Sequence, residues 1–235
     1  MLTVVGSLKA SAGATTVAAV LGYCRRATVV EADPAGGDVA GWMGWPDVGL
    51  SDLAAAAVRH GRLRVEDLRG CARITPAGVP VVAAPLGPEG AAGSTARVVE
   101  ALPKLATETD LVVDAGRLDP AAPAARLLAR ADAVVLLVGP VAGELARLRA
   151  RLPGLVRLCG RRLAVVLVDA ACCGQLRYPA GEVSRVLGCP VAARLPYDPR
   201  TAAVVATGPG RLPPWERLGW WGRWRWPLLA AVSRL

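Results

Sequence analysis

Seven short runs of valine, leucine and alanine alternate with stretches of helical length, and this alternation limits the fold more than any other feature. Most runs, such as AVVLLVG and LAVVLVD, are apolar at every position, which is typical of parallel strands covered on both faces. The predicted strands are residues 2–6, 27–31, 79–84, 110–114, 132–138, 162–168 and 190–194. The predicted helices are residues 14–25, 51–60, 94–107, 120–130, 141–151, 180–187 and 199–207. This order predicts a doubly wound α/β domain with a mostly parallel sheet of about seven strands.

The chain of 235 residues shows one compositional break, near residue 210. We therefore predict a single domain over residues 1–210 and a tail or terminal helix over residues 211–235. No run of 18 uncharged apolar residues occurs, so no membrane-spanning helix is expected. Residues 1–22 lack the basic start of a signal peptide and the cysteines form no CxxC pair, so a cytoplasmic protein with free thiols is expected.

The net charge of +9 favours an anionic partner such as a nucleotide, a nucleic acid or an anionic membrane. The alternative is an arginine-rich surface that reflects codon usage and keeps the protein in solution. Of the 28 basic residues only Lys9 and Lys104 are lysines. The survival of Lys9 as one of only two lysines therefore favours a specific use, and the alternative is a solvent-exposed lysine in a loop.

A loop of small residues joins the first predicted strand to the first predicted helix. Backbone amides in such a loop can surround phosphate, and the following helix N-terminus adds positive potential. Thr15 stands where a hydroxyl would bind Mg²⁺. The general phosphate-loop pattern fails, because Leu8 and Ala14 replace its first glycine and its lysine. The alternative is an ordinary turn before a helix.

Three further strand ends carry polar residues where ligands bind in doubly wound sheets. Glu31 and Asp33 end the second strand, and Asp114 ends a buried strand in the segment VVDAGR. Pro196 and Asp198 follow the last strand. The alternatives are solvated acids after the second strand and, at Asp114, a cap for the next helix.

These four segments, in this order over residues 1–210, resemble the ParA/MinD branch of the deviant-Walker P-loop ATPases, particularly its actinobacterial MinD-like members. The family loop K-G-G-x-G-K-T-[ST] is matched at Lys9, Gly13, Thr15 and Thr16. The chain departs from that loop at three positions, which are Ala10, Ser11 and Ala14. The later segments resemble the switch I motif D-x-D-P-x-G, the Walker B aspartate with switch II, and the late P-x-D segment. The resemblance implies the P-loop NTPase fold.

The resemblance also implies that the ligands are ATP and Mg²⁺, and it assigns roles to individual residues. The nucleotide-binding residues would be Lys9, Ser11, Ala12, Gly13, Ala14, Thr15, Thr16, Pro196 and Asp198. The catalytic residues would be Lys9 and Asp33, and the metal-binding residues would be Thr15, Asp33 and Asp114. In the family a second lysine contacts the β- and γ-phosphates, so Ala14 implies slow or absent hydrolysis. Asp169 stands near the family's base-reading asparagine, which leaves the choice of base open.

The predicted function is a nucleotide-dependent switch that positions cargo or machinery in the cytoplasm. In the family the signature lysine reaches across a nucleotide-sandwich dimer, so Lys9 implies a nucleotide-dependent homodimer. One alternative is a pseudo-ATPase scaffold that binds protein partners or the membrane surface without nucleotide. Another is a peripheral protein at the inner face of the membrane.

The tail interleaves arginines with five tryptophans, which are Trp215, Trp220, Trp221, Trp224 and Trp226. Tryptophan with arginine is typical of interfacial membrane segments. Gly219 and Gly222 weaken a helix, and Pro227 is expected to break or restart one. A final helix packed on the domain, membrane contact and a protein partner all remain open. Non-specific DNA contact through the basic surface is a further alternative.

Overall fold

The strands of the computed structural model form one twisted sheet that confirms the predicted doubly wound α/β architecture. The structure describes residues 1–9, 13–46, 49–169, 177–208 and 222–233. Within those ranges the strands are β1 (Leu2–Ser7), β2 (Thr28–Glu31), β3 (Arg73–Ile74), β4 (Pro80–Val82), β5 (Leu111–Arg117), β6 (Ala133–Val138), β7 (Leu163–Val168) and β8 (Val191–Leu195). Their order is β3-β4-β2-β5-β1-β6-β7-β8. All neighbours are parallel except β3, which pairs antiparallel with β4 at the edge.

The helices lie between the strands as the alternation predicted. They are α1 (Ala14–Arg25), α2 (Val39–Met43), α3 (Leu50–His60), α4 (Val65–Cys71), α5 (Pro88–Val98), α6 (Leu102–Leu105), α7 (Ala142–Cys159), α8 (Ala180–Leu187), α9 (Pro199–Thr207) and α10 (Gly222–Ser233). Short 3₁₀ helices span Pro123–Ala129 and Gly160–Arg162. The predicted bounds of α1, α8 and α9 agree with the structure.

Several elements differ from the sequence prediction for identifiable reasons. The strand β3 was not predicted, because two exposed residues at a sheet edge carry no apolar run. The predicted helix over residues 94–107 is divided into α5 and α6, and Pro103 lies in the first turn of α6. The helix α7 continues through Pro153, and the burial of Leu155 and Cys159 offsets the backbone hydrogen bond that proline removes.

Two apolar cores, one on each face of the sheet, follow from the alternation of side chains along the strands. Val4 of β1 packs in the core covered by α3 to α8, whereas its neighbour Val5 packs in the other core. The second core contains Val17, Val20 and Leu21 from α1 and further residues from α9 and α10. The sheet is therefore covered on both faces, as its uniformly apolar strands predicted.

The terminal helix α10 packs on the domain through its described side chains. Leu228 and Ala231 are fully buried in the core that α1 also lines. The prediction that Pro227 breaks the helix was wrong: α10 runs from Gly222 to Ser233 through that proline, since packing of Leu228 stabilises the turn it enters. Trp215, Trp220 and Trp221 lie outside the described residues, as do the side chains of Trp224 and Trp226. Across the described ranges, every helix falls short of the length and apolarity that crossing a bilayer requires.

Candidate functional site

The carboxyl ends of β2, β5 and β1 are adjacent, and this brings three of the four predicted segments to one edge. Glu31 on β2 pairs in register with Asp114 on β5, and Asp114 pairs with Val5 on β1. After a shift in register beyond Val5, Ser7 pairs with Arg117. The loop after β1, the acids after β2 and the end of β5 therefore surround one site.

The loop after β1 ends at the N-terminus of α1. Gly13 has a left-handed φ of 75° with open space at its Cβ position, and α1 begins at Ala14. No described side chain caps this helix, so the amides of its first turn are available to an anion. Lys9 is exposed, and Ser11 and Ala12 lie outside the described residues. Thr16 is buried at the start of α1.

Ser7 ties this loop to the segment that follows Asp114, a role that the sequence analysis missed. Its Oγ donates to the Lys9 carbonyl at 2.7 Å and lies 3.3 Å from the Gly116 carbonyl. The Leu118 amide donates to the Ser7 carbonyl at 2.8 Å. The root of the loop and the end of β5 are therefore fixed to each other. The signal in the sequence that could have predicted this role is a hydroxyl residue between an apolar strand and a loop.

Asp114 is fully buried and has one carboxylate oxygen without a partner. Its Oδ1 accepts the Gly116 amide at 3.0 Å, whereas Oδ2 has no hydrogen bond to any described residue. Burial raises its pKa to about 6, and the nearby Thr15 hydroxyl opposes this rise. An orphaned carboxylate oxygen next to a hydroxyl offers the hard oxygen ligands that Mg²⁺ prefers. The predicted metal residues Thr15 and Asp114 thus lie together and fit the ion.

Asp33 and Asp38 add negative charge to the site. Both raise the pKa of Asp114, and burial raises that of Asp33, whose Oδ1 accepts the Ala35 amide at 2.8 Å. No described basic side chain forms an ion pair with Asp33, Asp38 or Asp114. The described residues form no group of three or more His, Cys, Asp or Glu side chains placed to hold a metal. An ion here would complete its shell with phosphate and water, as is usual for Mg²⁺.

Glu31 stabilises the turn that carries Asp33 through hydrogen bonds, and this is a second role that the sequence analysis missed. Its Oε1 accepts the Asp38 and Val39 amides at 3.0 Å, and its Oε2 accepts the Ala84 amide at 3.0 Å. Burial, followed by the charge of Asp114, raises its pKa to about 7. Glu31 therefore caps the start of α2 and joins it to the end of β4.

The Asp33 carboxyl lies directly against Gly116 of β5. Gly116 has a φ of 52°, and a Cβ at this position would overlap the Asp33 carboxyl. Replacing Gly116 with alanine is expected to lower the free energy of unfolding by about 2–4 kcal/mol, since strained φ and overlap add. Urea denaturation measures this change.

Gly70→Ala is the matched control for this substitution. Gly70 lies in α4 with no atom within 4 Å of its Cβ position, so alanine should raise the free energy of unfolding by up to about 1 kcal/mol. Equal stability of the Gly116→Ala and Gly70→Ala variants would contradict the proposed contact between Gly116 and Asp33.

The fourth predicted segment stands at the same edge but further from the loop, since β8 lies three strands from β1. Asp198 caps α9: its Oδ1 accepts the Arg200 and Thr201 amides at 3.1 and 3.2 Å, and its Oδ2 accepts the Thr201 hydroxyl at 2.9 Å. A nucleotide-binding role for Pro196 and Asp198 stays a prediction.

The carboxylate of Asp169, which lies near the predicted base-reading position, is bound by arginine side chains. Arg194 donates to its two oxygens at 2.8 and 3.1 Å, and Arg177 lies 3.8 Å from Oδ1. The carboxylate is therefore charge-balanced within the protein, unlike that of Asp114.

Comparison with solved structures identifies the fold. No protein-family profile and no curated protein sequence matches the chain. A ParA family ATPase from Chlorobium tepidum TLS superposes with a TM-score of 0.73 at 18% identity, over 100% of this chain and 99% of that one. The Pyrococcus furiosus cell division ATPase MinD gives 0.69 at 20% identity, over 99% and 97%. MinD from Pyrococcus horikoshii OT3, complexed with Mg-ADP, gives 0.62 at 17% identity, over 100% and 94%. The chain has the ParA/MinD-type P-loop NTPase fold.

Proposed function

We propose that this chain is a ParA/MinD-like switch that binds ATP with Mg²⁺ and hydrolyses it slowly or not at all. The observation that carries the proposal is the unpartnered, fully buried Oδ2 of Asp114 beside Thr15. Desolvating a carboxylate without a partner is costly unless a bound ion balances it. The MinD structure from Pyrococcus horikoshii, with its Mg-ADP, supports this choice of ligand.

In this proposal, different residues of the site would bind the phosphates, the ion and the water molecule. The backbone amides at the start of α1 would hold phosphate oxygens, and Thr15 and Asp114 would hold the ion. Bound Mg²⁺ would supply charge stabilisation to the phosphoryl group. Asp33, whose carboxyl lies against Gly116 and accepts the Ala35 amide, would orient a water molecule.

Ala14 sets the limit on turnover in this proposal. Phosphoryl transfer depends almost entirely on positioned charge, and alanine supplies none where the family has lysine. The amides, Thr15 and Asp114 do not depend on that lysine. Binding with little turnover therefore follows, and such a site would report nucleotide occupancy rather than consume ATP.

Isothermal titration calorimetry with ATP, in Mg²⁺ and in EDTA, tests the proposal. We expect micromolar affinity in Mg²⁺ and an affinity at least about tenfold weaker in EDTA, because Asp114 repels phosphate when no ion screens it. No binding at millimolar ATP would overturn the proposal. The chain would then be a scaffold that retains the fold for its surfaces.

We also propose that bound nucleotide drives homodimerisation through Lys9. This side chain is exposed on a loop whose root Ser7 fixes, so it is free to reach a second copy. Replacing Lys9 with alanine is expected to abolish dimerisation in Mg-ATP, measured by light scattering after gel filtration. Lys104→Ala, which removes the other exposed lysine on α6, is the control and should still dimerise. Dimerisation of the Lys9→Ala variant would sink this proposal.

The cellular role we propose is positioning of cargo or machinery in the cytoplasm, with the tail at the inner face of the membrane. The motivating feature is the tryptophan and arginine content of residues 211–226. Flotation with anionic vesicles tests the tail, and Trp220→Ala/Trp221→Ala is preferable to deletion because α10 places Leu228 in the core. We expect the variant to lose flotation, and equal flotation would exclude these tryptophans as the anchor.

A further inference from the structure

The phosphate site of this chain lacks the positive charge that position 14 usually provides. Ala14 opens α1, and the acids of the site are Asp33, Asp38 and Asp114. A triphosphate adds further negative charge, so cationic side chains at this edge gain importance. Lys9 is one such cationic side chain, but in the proposed dimer it reaches toward the partner subunit.

Arg117 is a second cation at this edge, and its backbone is firmly held. It ends β5, three residues after Asp114, and pairs in register with Ser7 at the root of the loop. The preceding residue, Gly116, abuts Asp33, and the following Leu118 is buried and donates to the Ser7 carbonyl. The Cα of Arg117 is therefore fixed beside both the phosphate loop and the acids.

The side chain of Arg117 is uncommitted within the described part of the protein. It is exposed and makes no hydrogen bond or ion pair with a described residue. The neighbouring Arg151, by contrast, donates to the Leu118 carbonyl, and Arg194 binds Asp169. A free guanidinium on a fixed backbone is suited to bidentate contact with phosphate oxygens.

We propose that Arg117 binds the phosphate groups of the nucleotide and supplies the positive charge that Ala14 does not. This inference rests on the proposed function, since it requires nucleotide in the site. It assigns Arg117 to binding and leaves Asp33 as the residue that orients water. It would also account for nucleotide affinity in the absence of the loop lysine.

A double-mutant cycle on nucleotide affinity tests whether Arg117 supplies the charge that a lysine at position 14 would provide. The proteins are the wild type, Arg117→Ala, Ala14→Lys and the double variant, each titrated with Mg-ATP by calorimetry. Arg117→Ala is expected to raise the Kd about tenfold or more in the wild type, as loss of a charged hydrogen bond does. In the Ala14→Lys background, the same change should raise the Kd less than about threefold, because the two cations serve the same phosphates.

Two further variants make the cycle specific. Arg59→Ala removes an exposed arginine from the last turn of α3. This helix starts beside the carboxyl end of β4 and runs away from it. The Kd of the Arg59→Ala variant should therefore match that of the wild type. Arg117→Lys keeps the charge and should recover part of the affinity. Unchanged melting temperatures show that each exposed substitution leaves the fold intact.

The outcomes separate this inference from the proposed function. If the wild type binds Mg-ATP and Arg117→Ala binds as tightly as Arg59→Ala, the role of Arg117 is overturned and the proposed function stands. The role of Arg117 would also be overturned if Arg117→Ala raised the Kd equally with and without the Ala14→Lys substitution. Equal increases would show that Arg117 and a lysine at position 14 do not contact the same phosphates. If the wild type binds no nucleotide at millimolar concentration, both proposals fail together.

Discussion

Replacing Ala14 with lysine is expected to raise the rate of ATP hydrolysis about 10²–10³-fold, the effect usually seen for one preorganised charge at a transition state. Position 14 begins α1, between the left-handed Gly13 and the Mg²⁺ candidate Thr15. In the proposed site, a lysine there would extend from the first turn of α1, whose amides would hold the phosphates. The other proposed parts, Asp33 and Asp114, are present in the native chain.

Single-turnover hydrolysis of labelled ATP measures this gain, and Ala14→Met is the matched control. Methionine occupies similar length without charge, so its variant should hydrolyse ATP at the wild-type rate. Adding Asp33→Asn to the lysine variant should remove most of the gain, since that carboxylate orients the water in the proposal. Equal rates for the lysine and methionine variants would mean that charge at position 14 is not what limits turnover.

Replacing Asp114 with asparagine is expected to stabilise the nucleotide-free protein above pH 7 and to remove its Mg²⁺-dependent nucleotide binding. The asparagine side chain keeps the oxygen that accepts the Gly116 amide, and its NH₂ replaces the unpartnered Oδ2. The pKa of Asp114 is about 6, above its ordinary value of 3.8. A shift of this size corresponds to about 3 kcal/mol of unfolding free energy.

The sign of this pH dependence follows from proton binding. Between pH 3.8 and about 6 the folded state holds more protons at Asp114 than the unfolded state, so its contribution to stability falls as pH rises and is absent above pH 6. Glu31, with a pKa of about 7, contributes in the same direction up to pH 7. The Asp114→Asn substitution removes the first contribution and part of the second, because the Asp114 charge helps to raise the pKa of Glu31.

Thermal denaturation of both proteins between pH 5 and pH 8, with and without Mg-ATP, checks this prediction. The variant should melt several degrees higher than the wild type at pH 8. Mg-ATP should raise the melting temperature of the wild type alone. Asp119→Asn is the control, since its Oδ1 accepts the Ala121 amide and asparagine retains that bond. The same pH profile for the wild type and the Asp114→Asn variant would contradict the assignment of buried charge.

Local patterns were sufficient to predict most of the fold. The apolar strands, the helix that begins at Ala14 and the aspartate at the end of a buried strand were all visible in single stretches of sequence. The comparison with solved structures confirms the fold. The assignments of Lys9, Asp33, Pro196 and Asp198 to nucleotide stay predictions.

The supporting contacts of the site could not be predicted, because each depends on a partner far along the chain. The carboxyl of Glu31 meets an amide 53 residues away, and the hydroxyl of Ser7 lies beside a carbonyl 109 residues away. The close approach of Gly116 and Asp33 likewise arises only when β2 and β5 are adjacent. The continuation of α7 through Pro153 depends on the burial of the residues beyond it.

The placement of β5 between β1 and β2 has a consequence for biosynthesis. The neighbours of β1 are β5 and β6, so β1 has no strand partner until roughly 100 further residues, from Ser7 to Leu111, have been made. At roughly 5–20 residues per second, the ribosome needs about 5–20 s for that stretch. During this interval β2 has only β4 to pair with, and closing so long a loop slows the pairing of β1 further. The loop after β1 and the acids at the ends of β2 and β5 can therefore come together only once β5 has been made, and the apolar strand β1 lacks its native strand partners until then.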